Sequence, residues 1–205
     1  MDNIEKAFYH DGFQLGMKAS ETGITPDKLF SALAEMYAAI DSMNTSLQQF
    51  AQQQGQQIAC KKGCQWCCHQ PVFAMDYELD FLKQYIGKNF TPRQQTRIKE
   101  KALKKNEALG RLKGDKLLNA KHPCPLLVQG VCTAYAARPM ACRIYLSSNV
   151  DSCRKFYRKP EDNSNFPALL DFPMRAGRMM NEGFRAALKD NGVVAKEFRI
   201  EERLS

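Results

Sequence analysis

Apolar residues recur every three or four positions in the first quarter of the chain and predict a long helix. Thr25 and Pro26 are the residue types preferred at an N-cap and at the first helical position. The apolar positions after them are Leu29, Leu33, Met36, Tyr37, Ile40, Met43, Leu47 and Phe50. This spacing places them on one face of a helix. A glutamine-rich run around Gly55 indicates the exposed end of that helix or a short connector.

Two more helices are predicted in the middle of the chain. One begins near Asp76 and ends close to Gly87. The other starts at Thr91-Pro92 and displays basic side chains on its outer face. Its predicted inner face consists of Ile98, Ala102, Leu103, Ala108, Leu109 and Leu112.

The second half of the chain alternates between loops and one long helix. Proline and glycine interrupt residues 122–153, which predicts turns, a short hairpin and one helical turn. Helical spacing returns from Pro173 to about Asp190, where Asn191-Gly192 ends it. We therefore expect a mainly α fold, with helices packed around a loop-built cysteine metal centre and at most a short hairpin. Its predicted parts are an N-terminal helical segment (1–57), a cysteine-cluster metal-binding domain (58–155) and a C-terminal helical tail packed on that domain (156–205).

Length and hydropathy limit the class of protein. A chain of 205 residues can bury one sizeable core without crosslinks. Its apolar runs are far shorter than the roughly 20 residues that a membrane span needs, so no span is predicted. The first six residues are acidic and polar, unlike a secretory signal. We expect a cytoplasmic protein.

The net charge of +8 is concentrated in one segment. Residues 83–121 contain twelve lysines and arginines but only three acids, Glu100, Glu107 and Asp115. Nucleic-acid binding would draw on such a surplus, yet the segment has few aromatic side chains for stacking and no docking motif. A solvated helix face is the favoured interpretation, and nucleic acid is not the expected partner.

Eight cysteines give the strongest chemical signal in the sequence. In the reducing cytoplasm, patterned thiols indicate metal binding rather than disulfides. Four thiolates complete the ligand set of a tetrahedral zinc ion or an iron–sulfur cluster. The predicted ligands are a first set, Cys60, Cys64, Cys67 and Cys68, and a second set, Cys124, Cys132, Cys142 and Cys153. Together they could complete two four-thiolate sites. The competing interpretation, a buried apolar cysteine, is strongest for the isolated Cys153.

The neighbours of the cysteines refine this prediction. Vicinal thiolates such as Cys67-Cys68 reach one zinc ion less readily than two irons or two separate sites, which favours a cluster or two metals. His69 and His122 flank the two sets, where hydrogen-bonding or surface roles are favoured over metal ligation. Basic residues predicted to offset the thiolate charge are Lys61, Lys62, Arg138, Arg143 and Arg154.

Two sequence blocks resemble a known family. The first block is Cys60, Cys64, Cys67 and Cys68 with Glu78 downstream, and the second is Cys124-Pro125-Leu126-Leu127, Gly130, Cys132, Tyr135, Arg138-Pro139 and Cys142-Arg143. Over roughly residues 58–155 they resemble the zinc- or iron-chelating cysteine-cluster family of CxxCxxCC type, often called YkgJ-like. Its label implies two residues between the first two cysteines, whereas this chain has three. The resemblance implies a bound iron–sulfur cluster or zinc as cofactor and no general activity.

Three functions follow as expectations. The leading one is a metal protein acting in electron transfer, metal handling or redox sensing, with a redox or protein partner. The second is an S-adenosylmethionine-dependent enzyme resembling protein lysine methyltransferases, since a similar cysteine domain occurs in flagellin lysine N-methylases. Cys60-x3-Cys64-x2-Cys67 also has the spacing of radical enzymes, although no strand–helix series follows it. The third is a structural zinc module for protein interaction.

Overall fold

The computed structural model describes residues 1–162 and 164–205, and it confirms the mainly α prediction. The helices are α1 (Asn3–Ser20), α2 (Pro26–Gln53), α3 (Asp76–Asn89), α4 (Pro92–Leu109), α5 (Gly114–Leu118), α6 (Met140–Ile144), α7 (Val150–Arg158), α8 (Asp171–Asp190) and α9 (Ile200–Leu204). The strands are β1 (Phe73–Met75), β2 (Leu127–Val128), β3 (Val131–Cys132) and β4 (Glu197–Arg199). Two 3-10 turns span Trp66–His69 and Tyr135–Ala137.

The long helices begin where the sequence predicts. The Thr25 side chain accepts a hydrogen bond from the Lys28 amide at the start of α2. Thr91 and Gln94 form a reciprocal capping box at the start of α4, which satisfies amides that have no partner within the helix. Helices α3 and α8 begin at Asp76 and Asp171, and α8 ends at Asp190. These four predicted helices are confirmed.

Helix α1 packs along α8, and glycines let the two backbones approach closely. A Cβ placed on Gly183 would lie 1.9 Å from the Tyr9 carbonyl oxygen, and one on Gly12 would lie 1.9 Å from the Met180 carbonyl oxygen. Only a residue without a side chain fits at such a contact. The core beside this pair contains Leu33, Met36, Ile40, Met180, Phe184 and Leu188. The three-part division of the chain stays a prediction.

A second core lies around α3, α4 and α9. It contains Leu79, Leu82, Ile86, Ile98, Ala102, Leu126, Ala134, Ala137 and Ile200, and three cysteines, Cys124, Cys132 and Cys142, pack against it. Strands β1 and β4 pair antiparallel with Phe73 opposite Arg199, which ties the C-terminal residues to this core. Strands β2 and β3 form the predicted short hairpin, with Leu127 opposite Cys132. The cysteine-bearing hairpin is therefore fixed on an apolar base.

The predicted inner face of α4 needs correction. Ile98, Ala102 and Leu109 are buried as expected, but Leu103 is 52% exposed and Ala108 is also exposed. Lys105 occupies the inner face and is only 4% exposed. Its ammonium donates to the Gln70 carbonyl oxygen at 3.1 Å, and burial is tolerated because a charged group is hydrogen-bonded and paired there.

Two further observations complete the fold. Helix α7, which the sequence pattern did not predict, starts where the Asn149 side chain accepts hydrogen bonds from the amides of Asp151 and Ser152. In the part of the chain that the structure describes, no helix is both long and apolar enough to cross a membrane.

Candidate metal centre

The first four cysteines lie on a tight loop that leads into a 3-10 turn. Gly63 has φ +96°, a conformation that a glycine adopts without strain. The Cys64 amide donates to the Lys61 carbonyl oxygen at 3.0 Å and closes this loop. Cys67 and Cys68 follow on the 3-10 turn, where the neighbouring thiols shift each other's pKa in opposite directions, upward at Cys67 and downward at Cys68. All eight cysteines of the chain are free thiols.

A segment more than fifty residues away runs beside this turn. The His122 amide donates to the His69 carbonyl oxygen at 2.8 Å, and the Cys124 amide donates to the Cys68 carbonyl oxygen at 2.7 Å. These two backbone hydrogen bonds hold Cys68 next to Cys124 independently of their side chains. The β2–β3 hairpin then returns the chain, so that Cys132 lies near the same place.

Two of these thiols accept hydrogen bonds from backbone amides. The sulfur of Cys124 interacts with the Leu126 amide, and that of Cys132 with the Ala134 amide, each two residues further along the chain. Such bonds stabilise the thiolate form, which is the form that binds metal. The repetition of one local geometry at both cysteines fits a ligand role.

Helix α6 carries Cys142, and buried polar groups fix its position. The fully buried Glu78 carboxylate accepts from the Met140 amide at 2.7 Å and from the Tyr37 hydroxyl at 2.9 Å. Burial raises the pKa of Glu78, and these hydrogen bonds lower it in part. Arg143, which is 1% exposed, forms an ion pair with Asp41 of α2 and donates to the Arg138 carbonyl oxygen at 2.9 Å.

Cys60 and Cys153 are both positioned by the segment that runs from Ser147 into α7. The Ser147 amide donates to the Cys60 sulfur at 3.1 Å, and the Ala59 amide donates to the Ser147 carbonyl oxygen at 2.9 Å. Cys153 is buried in α7, whose Tyr157 ring lies 5.4 Å from Trp66 and 4.7 Å from His69. Residues four apart share a helix face, so Cys153 lies on the face of α7 that meets the 3-10 turn.

Burial controls the ionisation of most of these thiols. It raises the pKa of Cys60 to about 11, and the thiols of Cys64 and Cys153 add to this effect, while the Ser147 amide lowers it. Burial also raises the pKa of Cys124 to about 12 and that of Cys142 well above its ordinary value. Because metals bind thiolates, binding at these cysteines must release protons.

Cys68 is the exception, and a lysine helps to explain it. Its pKa is lowered, first by the hydrogen bond from Cys67 and also by the positive charge of Lys105. The same charge acts to lower the pKa of Cys124. The Lys105 ammonium lies 3.8 Å from the buried Glu201 carboxylate. The cation near the thiols is therefore paired with a buried anion. The sequence pattern missed this residue because a lysine on an amphipathic helix normally indicates the solvent side.

The basic residues that the sequence named lie in different surroundings. Lys61 and Lys62 are exposed. Burial raises the pKa of Cys132 and Cys142, and the Arg138 charge opposes part of that rise, as predicted. The Arg138 guanidinium also pairs with Asp41 at 2.9 Å. Arg143 also pairs with Asp41, and Arg154 pairs with Asp151 at 3.0 Å. Arg138 is thus the predicted basic residue that acts on the cysteine thiols.

The thiols approach one another without meeting in ligand geometry. Within residues 1–162 and 164–205, no three side chains of His, Cys, Asp or Glu lie close enough together to hold a metal ion. The donor set nevertheless fits a thiophilic metal, since it combines mostly half-buried thiols, amide–sulfur hydrogen bonds and a nearby buried cation. The Nδ1 of His69 donates a hydrogen bond to the Gln65 carbonyl oxygen at 3.1 Å, in keeping with a hydrogen-bonding role.

A cavity of about 340 Å³ lies beside α6, next to the cysteine region. Met140, Ala141, Ile144 and Tyr145 of the α6 segment form one wall. The opposite wall belongs to α8 and contains Met174, Arg178, Met179, Asn181, Glu182 and Arg185. The Arg185 guanidinium pairs with Glu182 at 2.8 Å. This volume lies within the range of small-molecule pockets.

Comparison with known proteins gives one match. Residues 59–165, which are 107 of the 205, match the CxxCxxCC family model, described as "Putative zinc- or iron-chelating domain". No curated protein and no solved structure matches the chain. The matched range contains all eight cysteines and ends before α8.

Proposed function

This chain belongs to the CxxCxxCC family of zinc- or iron-chelating domains, and from that membership we propose that its eight cysteines are ligands of iron–sulfur clusters that act in electron transfer or redox sensing. The observation that carries the proposal is the pairing of two distant cysteine segments. The Cys124 amide donates to the Cys68 carbonyl oxygen at 2.7 Å, although 56 positions separate the two residues. The backbone therefore holds the segments that carry Cys68 and Cys124 side by side.

Several features favour an iron–sulfur cluster over a single zinc ion. Eight thiols are twice the number that one zinc ion takes. Reduction potentials of clusters depend on net charge and on hydrogen bonds to sulfur. Both influences are present here, in the charges of Lys105 and Arg138 and in the amide bonds to Cys60, Cys124 and Cys132. A bound cluster would supply a one-electron couple.

The proposal includes a location and a partner. Free thiols persist as ligands where the glutathione pool keeps them reduced, which supports a cytoplasmic location. An electron carrier without substrate chemistry of its own needs a protein that donates or accepts the electron. We therefore expect a redox partner rather than nucleic acid.

The test is anaerobic purification followed by visible absorption and by iron, zinc and acid-labile sulfide analysis. The expected result is a coloured protein that contains iron and sulfide. Variants Cys64→Ala and Cys142→Ala should each lose iron, because each removes one proposed ligand. Val131→Ala is the matched control, since Val131 is exposed on the hairpin beside Cys132 and offers no sulfur.

The other outcomes are equally informative. A colourless protein with stoichiometric zinc would refute the redox proposal and leave a structural zinc module that unfolds on chelation. A protein with no metal after anaerobic purification and reconstitution would refute the ligand assignment.

The cavity beside α6 favours a second candidate, S-adenosylmethionine-dependent modification of protein lysines. Its walls combine apolar methionines with the charged Arg178 and Glu182, and this cofactor has apolar, anionic and cationic parts. Isothermal titration of the holoprotein with S-adenosylmethionine tests it. An enzyme would be supported if Arg178→Ala weakens binding of S-adenosylmethionine while Arg158→Ala on α7 leaves it unchanged. Absence of binding to the holoprotein would exclude it.

A further inference from the structure

One side of α4 carries cations that pair with no carboxylate among the residues that the structure describes. We define its basic face as Arg93, Arg97, Lys101 and Lys104. We infer that this basic face, together with the neighbouring β2–β3 hairpin, is a docking surface for an acidic protein. The inference rests on the proposed function for the partner's role, which is to exchange electrons with this chain, and on the surface itself for the location.

The four cations of the basic face share one side of the helix. They follow one another at intervals of four, four and three residues, and side chains at such intervals are neighbours along a helix. All four are exposed. The same helix buries Ile98, Ala102 and Leu109 on another side, so the basic face is turned to solvent.

The charge of the basic face is not balanced by the described part of the chain. Elsewhere exposed cations pair with carboxylates, as Lys18 does with Glu35 at 2.8 Å. Although Glu100 and Glu107 belong to the same helix, no carboxylate of the described residues lies within 4.0 Å of a cation of the basic face. Like charges at intervals of three and four weaken a helix. A surface of this kind gains from a partner that supplies the missing carboxylates.

The basic face adjoins the hairpin that carries a cysteine. The Lys101 ammonium donates to the Leu127 carbonyl oxygen at 3.0 Å. Leu127 lies opposite Cys132 in the hairpin, and its amide donates to the Cys124 carbonyl oxygen at 2.9 Å. A protein bound to the basic face would therefore lie beside the strand that contacts both cysteines, where an electron could be exchanged.

The tip of the hairpin adds an apolar patch to this surface. Val128 and Val131 lie directly opposite each other and are 44% and 37% exposed. Protein interfaces combine an apolar centre with a charged rim, whereas a phosphate backbone offers nothing apolar to two valines. Helix α4 also has no aromatic residue on which a base could stack. The combination favours a protein over nucleic acid.

These features define the chemistry of the partner. It presents several carboxylates beside a small apolar patch. Opposite charges steer such partners together and raise their rate of association. Electron-transfer complexes are typically small and weak, which lets the partner leave after each transfer. A helix face with four cations and a pair of valines is suited to an interface of that size.

The experiment measures binding to the anaerobically purified full-length chain by fluorescence anisotropy. The probes are a labelled acidic plant-type ferredoxin and a labelled single-stranded oligonucleotide. Ferredoxin should bind at an ionic strength of about 0.01 M and more weakly at about 0.15 M, because the Debye length falls from about 30 Å to about 8 Å. Val128→Ser should weaken binding at both ionic strengths, since salt does not screen an apolar contact.

Charge reversals locate the surface, because a net charge of +8 attracts acidic proteins to any side of the chain. Arg97→Glu combined with Lys104→Glu should weaken ferredoxin binding about tenfold at low ionic strength. The matched control, Lys6→Glu combined with Lys99→Glu, changes the net charge equally. Lys6 lies on α1, and Lys99 lies about 160° around α4 from Lys101. The control should stay within about twofold of the wild type.

The remaining outcomes overturn the inference. No ferredoxin binding at low ionic strength, or equal weakening by the two double variants, would leave the solvated helix face that the sequence favours. Tighter binding of the oligonucleotide, lost in the Arg97→Glu and Lys104→Glu variant, would assign the surface to nucleic acid. Because anisotropy requires no bound cluster, the two failures are distinguishable. Docking by a protein without iron would refute the proposed function alone, and an iron–sulfur protein that does not dock would refute this inference alone.

Discussion

The close approach of α1 and α8 predicts that one substitution has opposite effects at two helical glycines. Replacing glycine by alanine within a helix normally stabilises it by about 0.8–1 kcal/mol, because glycine loses more backbone freedom on folding. Gly87 of α3 is exposed, and a Cβ there would meet nothing within 4 Å. Gly87→Ala should therefore gain close to that amount.

At Gly183 the same methyl group meets a backbone. Its Cβ would lie 1.9 Å from the Tyr9 carbonyl oxygen and 2.9 Å from the Phe13 amide nitrogen. Neither atom can rotate away, so the helices must separate. Overpacking of this kind costs about 1–3 kcal/mol and sometimes more. Set against the helical gain of about 1 kcal/mol, Gly183→Ala should lower the free energy of unfolding by up to about 2 kcal/mol.

Thermal unfolding followed by far-UV circular dichroism, at fixed metal loading, measures both variants. For a chain of this length about 1 kcal/mol shifts Tm by about 2–4 °C. The two variants should therefore differ in stability by about 1–3 kcal/mol and in Tm by roughly 2–12 °C, with Gly87→Ala above the wild type and Gly183→Ala below it. A Gly183→Ala protein as stable as Gly87→Ala would refute the close packing of α1 on α8.

Three further predictions concern the cysteine region. Chelation of the bound metal should lower Tm by several degrees in differential scanning calorimetry, because a ligand that binds only the native state stabilises it by about 4 kcal/mol at a thousandfold excess over Kd; an unchanged Tm would contradict a structural contribution. Burial raises the pKa values of Cys60 and Cys124 to about 11 and about 12, so both thiols are protonated near neutral pH. Because Zn²⁺ must displace these protons, its affinity, measured by competition, should rise from pH 6 to pH 8. Lys105→Met should cost about 3 kcal/mol in urea unfolding, because it leaves the fully buried Glu201 with one cation fewer, whereas Lys104→Met, on the exposed side of α4, should stay within about 0.5 kcal/mol of the wild type.

The long helices were predictable because their signals are local. Thr25-Pro26 and Thr91-Pro92 cap helices through residues that are close in sequence, and the apolar spacing of α2 extends over many turns. The cysteine loop was likewise visible as a cluster of one residue type. Such features need no knowledge of the rest of the chain.

Long-range features could not be read from local patterns. Strands β1 and β4 have three residues each and lie more than 120 positions apart, so neither carries a periodic signal. Lys105 is buried only because Glu201 and the Gln70 carbonyl lie opposite it. The ion pair of Asp41 with Arg143 joins α2 to the cysteine region in the same way, by a contact that the sequence spacing does not encode.

The pairing of α1 with α8 also determines when the metal centre can be completed during synthesis. The end of α1 leaves the ribosome 150 residues before α8 begins, since α1 ends at Ser20 and α8 starts at Asp171. At roughly 5–20 residues per second, this delay lasts about 8–30 s. All eight cysteines emerge before α8, which packs on the Cys142 helix. The thiols are therefore exposed for seconds in an incompletely folded chain, where they can be oxidised or bind another metal. We expect the cell to protect them during that interval.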